Sequence, residues 1–149
     1  MDKQIVSGAS LEKNALLSSV AGWESLSLKN RLSQSIDVKI LCRLFNGRFN
    51  VFIETESLGE TRRLEKSSEH IAQQVVDRLG AKPEDVSIVL HQSGEPRGWW
   101  RWCFHWVGNA PLKSSFVELT EAAQERLLAR VVNQGAIFSV VLGVVTQVA

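Results

Sequence analysis

Only two cysteines occur in the 149 residues, Cys42 and Cys103, with no C-x-x-C pair or other regular spacing. So sparse a set suits a reducing cytosol, with both thiols behaving as small buried apolar groups rather than as a disulfide framework. Charge of one sign is also lacking. Seventeen basic residues against 16 acidic ones leave a net charge of +1, so bulk electrostatics argue neither for nor against nucleic acid, and only a local patch can. Met1-Asp2-Lys3-Gln4 shows neither the basic nor the apolar region of a signal peptide, and the cytoplasm is the expected compartment. The glycine-bearing turns at Asn46-Gly47 and Ser93–Gly98 lack the strand-to-helix context of a phosphate-binding loop. From Val131 to Ala149 there is no charged residue, but Asn133, Gln134 and Gln147 interrupt the run and no basic flank follows it. A membrane span needs about 20 predominantly apolar residues, so a membrane is not an expected partner.

What is present describes a globular protein. Hydrophobic residues make up 44% and charged residues 22%, enough apolar material for one domain with a proper core and too short a chain for a second. The organisation read from the chain is an N-terminal arm, short helix and connector over residues 1–35, then a single α+β domain over 36–149.

Local patterns supply the elements. Ser10 can cap a short helix running to about Val20, with Gly22 as its stop. The Ser-rich stretch 22–35 reads as a connector anchored by Trp23, Leu26, Leu28 and Leu32. Ile36, Val38, Ile40, Cys42 and Leu44 alternate with Asp37, Lys39, Leu41, Arg43 and Phe45, the period of a half-buried strand. Asn46-Gly47 then turns the chain into a return strand with Phe49, Val51 and Ile53 on one side. Residues 56–66 read as a charged connector, with a short strand near Thr61–Leu64 as one option. A helix follows, capped at Ser67 or Ser68 and stopped at Gly80, its stripe made of Ile71, Val75 and Leu79 widened by Ala72 and Val76. A second hairpin pairs Val86, Ile88 and Leu90 with the tryptophan-rich run that starts at Gly98, and Thr120 caps a helix over about 121–132. The β-branched residues of the C-terminal run favour a closing strand over a helix extension. The fold class read here is thus α+β: an antiparallel sheet of four or five strands, built from two β-hairpins each followed by a helix. An N-terminal helix and an apolar C-terminal element complete it, with the helices on one face.

Catalytic chemistry finds little footing. Cys103 and His105 lie two apart on one strand and so share a face. Such a pair can serve as nucleophile and base or as two metal ligands. A metal would need Cys42 or His91 as well, and a buried thiol beside a half-exposed histidine is the plainer reading. Glu54, Glu56, Glu60 and Glu65 are interleaved with Arg62, Arg63 and Lys66, as in a solvated charged segment. We therefore expect no enzyme, no metal and no cofactor.

The surface with character is the sheet. Trp100, Trp102, Phe104 and Trp106 fall on one side of their strand and are expected in the core. The other side carries Trp99, Arg101 and His105, with Arg97 in the preceding turn and Lys39, Arg43, Phe45, Arg48 and Phe52 from the first hairpin. Tryptophan and arginine dominate protein-interface hot spots, so the expected function is a non-enzymatic protein-binding or adaptor module that self-associates, as a homodimer, through this face. The alternative partner is single-stranded nucleic acid, since aromatic and arginine groups stack bases and neutralise phosphates; near-zero net charge ranks it lower. The order helix, strands, helix, hairpin, helix is similar to that of the small dimeric chaperones of type III secretion systems. That likeness is one of topology, and it implies a chaperone-like dimer as a further alternative.

Overall fold

The computed structural model describes residues 13–105, 113–133, 135–141 and 145–148. Helical residues 13–19 form α1. They are followed by β1 (Glu24–Lys29), β2 (Ser35–Phe45), β3 (Arg48–Thr55), α2 (Leu58–Lys66) and α3 (Ser68–Leu79). After a 3-10 turn at Pro83–Asp85 come β4 (Val86–Gln92), β5 (Gly98–His105), β6 (Lys113–Glu118), α4 (Glu121–Asn133), β7 (Ala136–Ser139) and β8 (Thr146–Val148). The protein is a mixed α+β structure with four helices and an eight-stranded sheet among the described residues. None of these helices is long and apolar enough to cross a membrane.

The hairpin β2–β3 is the spine. Asn46 and Gly47 both take positive φ, 54° and 72°, which matches the turn to the twist of the flanking strands. β2 is long enough, at 11 residues, to hold three partners. β3 lies along one edge from Lys39 to Phe45, while β1 and β7 share the other, opposite Ser35–Ile40 and Cys42–Leu44 respectively. Glu24 closes the seam between them, its carboxylate accepting from Ser139 Oγ at 2.9 Å and from the Val140 amide at 2.5 Å.

Three features differ from the sequence reading. First, the sheet is larger and not purely antiparallel: β3 and β4 run parallel, from Phe49↔Val86 to Thr55↔Gln92. Parallel neighbours require a crossover, and α2 with α3 supplies it. Second, residues 58–66 are helical. Ser57 Oγ accepts from the Glu60 amide at 3.2 Å, and Glu60 reaches back to the Glu56 amide at 2.7 Å, a reciprocal cap that starts α2 with no broad apolar stripe. Third, the stretch read as a connector contains β1, whose Leu26 and Leu28 are buried while Leu32 is 69% exposed. The C-terminal run does pair as strands, β7 on β2 and β8 on β7.

Both faces of the sheet are covered, which corrects the expectation of helices on one face. On the first, Ile40, Val51, Ile53, Ile88, Leu90 and Trp102 pack beneath α2 and α3. On the second, Leu41, Phe52, Val89 and Trp99 pack beneath Leu17 of α1 and Leu127, Leu128 and Val131 of α4. Thr120 Oγ1 accepts from the Ala123 amide at 3.2 Å and fixes the start of α4. Ser67 precedes α3 and Gly80, at φ 63°, ends it.

Candidate binding cleft

The second face decides what the arginine and aromatic residues can do. Its centre is closed. Phe52 is fully buried and Trp99 is 2% exposed, so neither is presented to a partner; this overturns the placement of Trp99 on an open surface. The alternation had put the right residues on one side, but α1 and α4 cover that side. Trp102 is buried as expected, whereas Trp100 and Phe104 are only half-buried. Trp106 and the side chain of His105 lie outside the described residues.

A buried polar cluster locks α1 in place. His91, with no exposed surface, has Nε2 2.8 Å from Asn14 Oδ1, and Trp99 Nε1 donates to the same oxygen at 3.3 Å. With Nε2 as the donor, Asn14 accepts both N–H groups. Burial pushes the His91 pKa down to about 4. His91 meets Trp99 edge to face at 5.2 Å. Lys13, also on α1, lies 3.5 Å from Glu121 and 3.3 Å from Glu125 of α4.

The remaining residues are parted by the fold. Lys39 stands exposed at the β1 end of the hairpin, in a hollow with Asp37, Glu54, Glu56 and Glu60. There burial raises the Glu54 carboxyl pKa, Lys39 lowers it and Glu56 raises it further. Arg97 is exposed and donates from Nε to Ser93 O at 3.0 Å. Arg43 is buried beside Asn50, donating from Nη1 to Gly135 O at 3.3 Å, and burial lowers its pKa.

Phe45, Arg48 and Arg101 come together at the hairpin tip. They line a cleft of about 390 Å³, open between the end of the sheet and α4. Arg130 of α4 completes it, with its Cζ 5.6 Å from the Phe45 ring centroid, a cation–π contact. Leu127 supplies an apolar wall, Asn50 and Ser87 offer neutral polar groups, and Glu84 is the one acidic residue on the lining. Arg48, Arg101 and Arg130 are exposed, and none of them makes an ion pair among the described residues. Arg130 was missed in the sequence. Its signal was its place three residues after the inward-facing Leu127, which sets both over the same turn of a helix.

Cysteine chemistry is divided by the sheet. Cys42 sits in the core of the first face, and burial together with the charge of Glu24 pushes its thiol up to about 12. Cys103 is half-buried in the wall of the cleft. Among the described residues no three histidine, cysteine or acidic side chains gather to hold a metal ion. Compared with protein-family models, with curated proteins and with solved structures, the chain matches none.

Proposed function

We propose that the protein is a non-enzymatic binding module for another polypeptide, and that the open end of its arginine and aromatic face makes the contact. The observation carrying this reading is the cleft: three arginines without ion-pair partners among the described residues, held beside Phe45 and Leu127 by three separate elements. Arginine beside apolar surface is the composition of interface hot spots. Self-association would use the same surface, with a second copy as the partner.

The test is a photo-crosslinking amino acid placed at Phe45, with the same group at exposed Leu32 as the remote control. Discrete protein adducts from position 45 alone, including the doubled mass of a homodimer, support the reading. Equal labelling from both positions, or none from 45, refutes it. Size-exclusion chromatography with light scattering separates the two forms, because a strict monomer at micromolar concentration removes the homodimer.

A further inference from the structure

Charge is segregated between the two ends of the β2–β3 hairpin. Around the tip stand Arg48, Arg101 and Arg130; at the opposite end Asp37, Glu54, Glu56 and Glu60 gather with Lys39 and Arg63. This matters for what the cleft can hold. A nucleic-acid strand carries a phosphate at every step and needs a basic track along its path. Here α1 and α4 cover the face between the two ends of the hairpin, and the far end carries carboxylates. The cleft that the arginines line is small, about 390 Å³, room for a few side chains.

All three cations are arginines, whose planar forks match the oxygens of a carboxylate or a phosphate. The apolar lining decides between them. Phe45 and Leu127 beside them offer an apolar side chain a place to leave water, and the half-buried Ser87 can bond to a peptide group. Glu84, on the same lining, weakens but does not cancel a site with three positive charges.

We infer that the cleft takes an acidic segment of a partner polypeptide, with a carboxylate side chain on the arginines and a neighbouring large apolar side chain against Phe45 and Leu127. This deepens the binding-module reading and rests on it. The probes are three fluorescein-labelled molecules followed by anisotropy on the full chain: a decapeptide alternating Glu and Leu, its Gln/Leu counterpart, and a ten-nucleotide oligo-dT. The Glu/Leu peptide binds, and Arg101→Gln with Arg130→Gln weakens it about tenfold or more, the scale of losing charge-paired contacts at an interface. Arg62→Gln, an exposed change on α2 away from the cleft, leaves it unaltered. Both cleft arginines are solvent-exposed, so circular dichroism of the double variant should match the parent and keep the comparison clean. Equal affinity for the Gln/Leu peptide overturns the inference, as does indifference to the double substitution or no binding at millimolar protein. Tighter binding of oligo-dT overturns it too and reassigns the cleft to a phosphate backbone. Loss of peptide binding alongside intact crosslinks from position 45 sinks the acidic class while leaving the binding-module reading standing.

Discussion

Acidification tests the His91 cluster directly. The imidazole is wholly buried, its native pKa lies near 4 and its ordinary value is 6.5. Above the ordinary value neither the native nor the unfolded chain holds the proton, and the burial of neutral His91 costs nothing in proton binding. Below it the unfolded chain takes up a proton that the native chain refuses, so stability falls as pH falls. The full gap, at ~1.4 kcal/mol per pH unit, amounts to about 3.5 kcal/mol. Linkage places about 2 kcal/mol of this loss between pH 7 and pH 5, a large share of a typical domain's stability. Urea unfolding followed by tryptophan fluorescence at the two pH values reads it. Glu54 acts with the opposite sign: its carboxyl pKa is raised on folding, so it favours the native state as pH falls, and the parent's net slope mixes the two. His91→Gln isolates the histidine. Glutamine can still donate to Asn14 but does not titrate, so the parent should lose about 2 kcal/mol more than the variant over this range. Identical pH slopes for parent and variant would refute a neutral, buried His91.

Three further outcomes follow from named contacts. Trp99→Ala removes the largest fully buried side chain of the second face and should cost about 3–5 kcal/mol by chemical denaturation, without altering the exposed arginines of the cleft. Ser57→Ala deletes the cap on the Glu60 amide and should cost about 1 kcal/mol in the same assay; no change would mean that α2 is held by packing alone. At pH 8 a thiol reagent should label Cys103 and leave Cys42 untouched until the protein is unfolded, because the Cys42 thiol is buried and its pKa is pushed up to about 12. Two equally fast thiols would contradict the placement of Cys42.

Both hairpins and two helices were legible because local chemistry specifies them. Asn46-Gly47 sets its turn, Gly80 stops α3, and Thr120 caps α4. α2 was not legible by periodicity, since Thr61 and Leu64 are its only buried residues. Its capping residues, Ser57 and Glu60, were the available signal. β1 does alternate, with Leu26 and Leu28 inward and serines outward, but serine is a poor strand former and the six residues gain their shape by pairing with β2. The parallel β3–β4 pair could not be read at all, because strand order is decided by distant contacts. Trp99 shows the same limit. Period two tells which residues share a side and is silent on which side receives a cover, and that cover comes from Leu17 and α4, far away along the chain.

The aromatic density of β5 therefore belongs first to the fold. Trp99 and Trp102 are buried on opposite faces and anchor two different helical layers, so losing either is felt as stability. On the proposed binding role, contact with a partner is left to the perimeter, where the helices stop. Arg101 is the point of contact between these roles: it lies two residues from Trp99 on the same side of the strand, yet it emerges beyond the cover into the cleft. Substitutions at the two positions should consequently separate. Trp99→Ala should lower the unfolding midpoint, while acidic-peptide binding survives wherever the chain is folded. Arg101→Gln should leave the midpoint in place, since exposed substitutions of this kind usually change stability by less than about 0.5 kcal/mol, and weaken binding. If both substitutions moved stability and binding together, the cleft would be an extension of the core rather than a surface, and the division of β5 into a structural and a binding part would fail.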